Sequence, residues 1–533
     1  MDQITLLNPR LETASEARPP APRLDRLAGL EIGFVDNSKL NADLFIARLG
    51  IALAERYAVR TGAVIRKAAP KDRLSDSDLD RLQRCGAVIQ CFGDCGTSTS
   101  MSVADGVLLE SRGIPTTTVI STAFARAARS QARGRGMRDL PIIEIPHPMH
   151  TATRGEIEAR ADAAAAALAE SLTSPPRGGS ALGPAAPAAE IPLSDAGAAE
   201  QEYFFAQSWT DGLPVVPPTA DKVAAMLATV ARDPAALVGP LPPAMRQASI
   251  EMLARNAVLA GCHAGYFPVV LAALEAMLAE DMQLYGIQTA TNTTTPLIIV
   301  NGPIAAELDI NARGNCFGQG WRANATIGRA VQLILRNLGG DMPGQTDMAT
   351  HGQSGKFGLC IAEAESDSPW APFHVEAGYL AADSTVTVIG ASAPQNVFTY
   401  GCETGPEILE HLIGAATGLG HNNIIFPTGP LFVLAPEHAH VLARDGLSKR
   451  DIRQAIFARA RIPLARFAPR TIDGLEHRRA RWFATVGDKD HIGIADRPED
   501  VHILVAGGAG IHSLFVPTAF SYRPVTRPIL RRA

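Results

Sequence analysis

In the first third of the chain, short apolar runs alternate with longer stretches whose apolar residues recur every three or four positions. The runs EIGFVD (31–36), AVIRK (63–67), GAVIQCFG (86–93), PTTTVIS (115–121) and PIIEIP (141–146) read as strands, GAVIQCFG as a buried one. Helical spacing marks 41–58, where Asn41 is suited to cap the first turn, and a charged stretch at 75–84. The segments 100–113, closed by Gly113, and 123–136 read as helices too. Five strand–helix steps within ~140 residues predict a doubly wound parallel sheet of the flavodoxin-like class. The alanine run 161–167 predicts the helix that closes this unit, since alanine has the best helix propensity.

The pattern then stops. Residues 173–199, TSPPRGGSALGPAAPAAEIPLSDAGAA, offer too little burial to offset the entropy of ordering them and read as a linker. The expected organisation is a first domain over 25–172, a Pro/Gly/Ala-rich linker over 173–200, and a larger α/β or α+β body over 201–533, open to division in two. Composition agrees with several cores: 533 residues, 46% hydrophobic and 19% charged.

A net charge of -5 argues against nucleic acid as the main partner, because phosphate neutralisation needs clustered Lys and Arg. The short basic clusters 133–138 and HRRAR (477–481) read as solvated faces. No membrane span is expected, as no run reaches ~18 apolar residues. The N-terminus lacks the pattern of a secretory signal. Seven cysteines, an odd number in a long chain, fit reduced thiols, so a cytoplasmic location is expected.

In doubly wound sheets ligands collect beyond the carboxyl ends of the strands. Three segments fall there: DNSK, with Asp36, Asn37 and Ser38; GDCGTSTS (93–100); and PHPMH, with His147. Cys91 lies inside a predicted strand and reads as a small core residue. Cys95 sits just before a helix, where free N–H groups and the helix dipole stabilise a thiolate. Gly96 would let the backbone approach a ligand, and Thr97, Ser98 and Thr99 would offer hydroxyls to a carboxylate or oxyanion. A disulfide between Cys91 and Cys95 would need matched geometry. His147 could serve Cys95 or the substrate as a base, or PHP could simply stiffen the chain exit.

Three stretches, IGFVDNSKLNADLFIARLGIALAERY, GDCGTSTSMSVADGVLLESRGIPTTTVISTAFARAARSQARGRGM and PHPM, together resemble the UGSC-like family. That family is named for a U/C-G-S-C core of selenocysteine or cysteine. The resemblance covers roughly Leu30 to His150 and places the leading redox-type residue on Cys95. It places the second cysteine on Ser98, so a two-thiol cycle within the motif is not expected here. A looser likeness joins this domain to one half of the Asp/Glu racemase fold, without a second half or second cysteine. The rest of the chain resembles the larger partner domain that accompanies such proteins in bacteria, through SWTDGLPVVPPT, TTTPLIIVNGPIAAEL, FGQGWRANATIGRA, GKFGLCIAEAESDSPWAPFHVE and VAGGAGIHSLFVP. The resemblance implies no chemistry for it.

In that body Asn301 ends a buried strand at a turn, and Arg322 stands just before a helix expected near Asn324. Arginine beside free helix N–H groups makes an anion clamp. His512 follows a glycine-rich turn that lacks both the dinucleotide and the P-loop spacing. His263, His374, His421 and His512 read first as hydrogen-bonded structural residues. No cofactor is predicted, and no spacing demands a metal, although ligands distant in sequence leave one open in the C-terminal body.

The expected function is a cysteine-dependent enzyme, a lyase or hydrolase of desulfurase type. It would act on a polarised C–S, C–N or C–halogen bond of a small anionic metabolite, with Cys95 as nucleophile or acid/base. A thiol-disulfide oxidoreductase and a non-catalytic binding protein are the alternatives. A homodimer is the expected assembly.

Overall fold

The computed structural model describes residues 4–10, 18–175, 190–193 and 198–532. Its first body is a five-stranded parallel sheet. Strand β1 (Ile4–Leu7) precedes it and lies outside this sheet; the body itself comprises β2 (Glu31–Asp36), helix α1 (Ala42–Tyr57), β3 (Arg60–Arg66), α2 (Asp76–Leu82), β4 (Ala87–Gly93), α3 (Gly96–Ser111), β5 (Thr116–Ser121), α4 (Ala125–Gly134), β6 (Ile142–Ile145) and α5 (Arg154–Thr173). The strands lie in the order β3-β2-β4-β5-β6. This is the flavodoxin-like α/β arrangement, with crossovers to either side of β2.

Both faces of the sheet are covered, which is why β4 and β5 are buried at every position and carry no polar alternation. On one face Phe45, Leu49 and Leu53 of α1 meet Ala161, Ala165 and Leu168 of α5. The alanine run thus packs close rather than merely favouring helix. On the other face Leu79 and Leu82 of α2 and Leu109 of α3 cover Val35 and Val88. Asn41 does not cap α1; its amide donates to the carbonyls of Met149 and Ala152 and ties the β2 and β6 loops together.

The rest of the described chain forms helix, sheet, sheet, helix layers. One sheet has the order Cys360–Ala362, Thr295–Asn301, Thr385–Ala391, Val525–Pro528; the other Gln395–Phe398, His512–Val516, Leu431–Leu434, His502–Val505. Strand alternation assigns the layers. Ile298 and Val300 face the helices Ile250–Leu259, Phe267–Met277 and Arg322–Asn337, whereas Leu297 and Ile299 face Leu431 and Val433 of the second sheet. Phe432 and Leu434 point the opposite way, onto Gly405–Ala415 and Pro436–Arg444.

Two boundaries differ from the sequence reading. The start of the chain belongs with the larger body: Leu6 is buried in that body's core, and the carbonyls of Asn8 and Pro9 accept from Arg255 and Asn256. Within the expected linker, Glu190–Leu193 pairs antiparallel with β1, while 176–189 and 194–197 lie outside the described residues. The backbone pairing of a distant segment, invisible to composition, orders that piece. Among the described residues no helix is long and apolar enough to cross a membrane.

Candidate functional site

Cys95 is the N-cap of α3, which begins at Gly96 and not near Ser100. The cap is reciprocal. The Ser98 N–H donates to the Cys95 sulfur at 3.4 Å, and the Ser98 hydroxyl accepts the N–H groups of Asp94 and Cys95, each at 3.0 Å. The same hydroxyl lies 3.2 Å from both the sulfur and the Cys95 carbonyl, so its single proton reaches the sulfur when the thiol ionises. Burial pushes the Cys95 thiol up, but the Lys39 ammonium and the Ser98 donors outweigh it and hold it below the usual cysteine value. Cys91, fully buried on β4, is pushed far up by burial and by Asp36. All seven cysteines are free thiols.

The floor of the loop is built by residues expected to touch substrate. Asn37 donates to the Ser98 carbonyl (2.9 Å) and the Ser102 hydroxyl (3.0 Å). Asp36 accepts from the Ser38 N–H at 2.7 Å, and burial raises its carboxyl against Ser38 and Arg66. Ser38 donates to the Lys67 carbonyl. Thr99 is buried where a β-carbon on Gly93 would stand 2.7 Å from its α-carbon. These residues hold the loop; none of them lines the cavity in front of Cys95.

His147 likewise reaches Cys95 indirectly. Its Nδ1 lies 2.9 Å from Asp94 and 3.1 Å from Ser121, and it does not line the cavity. The other Asp94 oxygen accepts the N–H groups of Met149 and His150 and contacts His150 Nδ1 at 3.1 Å. Burial raises the Asp94 carboxyl, but the Ser121 and His150 bonds and the His147 and Lys39 charges bring it below the usual range. Asp94 therefore anchors the β6 loop to the residue before the thiol.

The cavity, about 330 Å³, lies between the two bodies. Cys95, Lys39 and Thr97 line it from the N-terminal domain, with Ala68 to Asp72 of the loop after β3. From the other body come Ala290 to Asn292, Ile425 to Pro427, His477, Arg478, Phe520 and Tyr522. HRRAR is thus not a solvated face. His477 and Arg478 enter the cavity, and Arg479, fully buried, holds Asp496 at 2.7 Å and donates to the carbonyls of Asn423 and Ile424. Lys39 closes the DNSK segment, so a signal existed for it. Lys71, Arg478 and Tyr522 gave none, because their convergence depends on how the bodies dock.

Gly96 faces protein rather than ligand. A β-carbon there would stand 1.3 Å from the carbonyl oxygen of Thr289, the last residue of the buried helix Leu284–Thr289. The same helix sends the Tyr285 hydroxyl to Gln131 of α4 at 2.7 Å.

The remaining candidates sit elsewhere. The helix expected near Asn324 begins at Arg322, whose side chain donates to the Gly261 carbonyl at 3.0 Å. Asn324 is buried, exchanging hydrogen bonds with the Asn311 backbone. Asn301 donates to Glu363 and Glu365. His512 stacks on Phe398 and meets Asn396 at 3.1 Å. His374 is buried with neither ring nitrogen hydrogen-bonded among the described residues, unlike the satisfied histidine expected. Among the described residues no three His, Cys, Asp or Glu side chains are grouped to hold a metal ion.

The fold and the loop define a flavodoxin-like α/β domain carrying a helix-capping thiol beyond its central strand. Residues 5–174 match the model of the UGSC family, and the N-terminal part of this chain is a UGSC-family domain, fused to a larger mixed α/β body. No curated protein and no solved structure matches the chain.

Proposed function

We propose that the protein is an enzyme with a single reactive thiolate, acting on a small anionic metabolite at a polarised C–S, C–N or C–halogen bond. The observation that carries this is the Cys95 thiol, lowered against its burial and opening into a cavity that also presents Lys39, Lys71 and Arg478. A lowered pKa raises the fraction of the sulfur that is ionised and nucleophilic at a given pH. The cations attract the substrate's charge and offset charge that develops in the transition state. Cys95 serves as nucleophile or acid/base, Lys39 and Ser98 stabilise the thiolate, and His147 positions the loop through Asp94. The dithiol cycle has less support, since Ser98 carries no thiol and Cys91 is fully buried.

The test is pH-dependent alkylation followed by mass spectrometry, combined with a screen of anionic thio, amino and halo acids. Cys95 is expected to react alone well below pH 8, and Cys95→Ser to abolish turnover while Cys91→Ser leaves it. If Cys95 reacts no faster than the other thiols, the reading fails; ligand binding that survives Cys95→Ser, with no turnover by the native protein, would indicate a binding protein instead.

A further inference from the structure

Of the cations that line the cavity, Lys71 is the one whose surroundings point to a bound anion. Lys71 is 9% exposed, yet its ammonium has no hydrogen-bond partner among the described residues. It sits 3.7 Å from the centroid of the Tyr522 ring, a cation–π contact that replaces only part of its lost hydration. Arg478 lines the same cavity and is subject to the charges of both the Cys95 sulfur and Asp72. Asp72 is the one carboxylate lining a cavity that also presents Lys39, Lys71 and Arg478. Ala290, Ile425, Phe426 and Phe520 give the cavity an apolar part of its wall.

We propose that Lys71, with Arg478 in the same cavity lining, binds a carboxylate of the substrate, so that the substrate is a small carboxylic acid rather than a phosphate or a neutral compound. This rests on the reading of Cys95 as the reacting thiolate and adds the substrate class. A carboxylate would supply the partner that the Lys71 ammonium lacks, and an arginine beside it gives paired donors.

Burial brings the Lys71 ammonium down to about 8, with Arg478 adding to the fall and Asp72 opposing it. It therefore stays mostly charged at neutral pH. Tyr522 is pushed up to about 12 by burial and the surrounding acids, so the phenol does not titrate in that range. Binding of the carboxylate should accordingly weaken as pH rises through 8.

The experiment follows the rate at which iodoacetamide labels Cys95 in the full-length protein at pH 7, with malonate, succinate, glutarate, inorganic phosphate or uncharged succinamide present. At least one dicarboxylate is expected to protect saturably and succinamide not. Lys71→Met should raise the half-protecting concentration tenfold or more. Equal protection in Lys71→Met, protection by succinamide, protection by phosphate alone, or none at all would each overturn the proposal. Lys71→Gln is the second variant and should weaken protection likewise; protection retained in it would overturn the proposal. Calorimetric titration of Cys95→Ser with the same dicarboxylates reads binding at Lys71 without the thiol. Failure of the thiolate reading would leave that binding and its Lys71 dependence in place.

Discussion

Gly96, the first residue of α3, and Thr289, the last residue of a helix in the other body, approach so closely that a methyl group on the glycine would overlap the threonine carbonyl. The residue after the thiol is therefore a docking point, and the cavity exists only while the bodies are together. Gly96→Ala should leave the N-terminal sheet folded, since alanine suits a first helical turn, but push the bodies apart. Overpacking of this kind costs about 1–3 kcal/mol. Hydrogen exchange at 284–289 should rise while β4 and β5 stay protected. Unchanged exchange at 284–289 would show that the backbone accommodates the methyl locally.

Lys39 sets the charge state of Cys95. Its ammonium favours the thiolate, so Lys39→Met should raise the Cys95 pKa and slow alkylation at pH 7. At a pH well above the new value the two proteins should react alike. His147→Ala, acting only through Asp94, should shift the alkylation profile less. A larger shift from His147→Ala than from Lys39→Met would move the activating charge to the histidine.

Ser98 tests what the missing motif thiol did. Its hydroxyl is 3.2 Å from the Cys95 sulfur, in the position where the family pattern has a cysteine. Ser98→Cys should therefore form a disulfide with Cys95 in air, seen as a loss of two hydrogens by mass spectrometry and a loss of iodoacetamide labelling. Ser98→Ala removes one donor to the thiolate and should raise its pKa while leaving the backbone N–H donor in place. A stable dithiol in Ser98→Cys would mean that the loop geometry forbids closure.

The sheet was legible because each strand carries a short apolar or β-branched run, as in AVIQCFG and TTTVIS, and each crossover a helix, so period and length decided the assignment locally. The thiol was legible in part: the sequence placed Cys95 in a loop between a buried strand and a helix, but that helix starts at Gly96 rather than at Ser100, which makes Cys95 its cap. The cavity was not. Asn301, Arg322, Asn324 and His512 looked suited to a site but are spent on their own neighbours, while Lys71, Arg478 and Tyr522 look unremarkable in sequence and meet only through docking. Gly96 shows the limit most clearly, since a glycine beside a reactive group reads as room for a ligand whether the neighbour is ligand or protein.

Glu363 gives a stability prediction independent of the thiol site. It is 4% exposed and accepts from Asn301 and the Phe373 N–H, with Lys449 4.0 Å away. Burial raises its carboxyl to about 7, against the pull of Lys449 and these donors. A raised acid binds its proton more tightly folded than unfolded, so above pH 7 the fold bears the cost of a buried carboxylate, and that cost disappears as pH falls toward the unfolded value near 4.3. The cost at high pH is on the order of 3 kcal/mol. Glu363→Gln, which keeps an acceptor for the same donors, should raise the urea midpoint at pH 8 and converge with the native protein near pH 4.5. If instead the variant is less stable at pH 8, the attraction between Glu363 and Lys449 outweighs the burial cost, and the carboxylate is ionised at neutral pH.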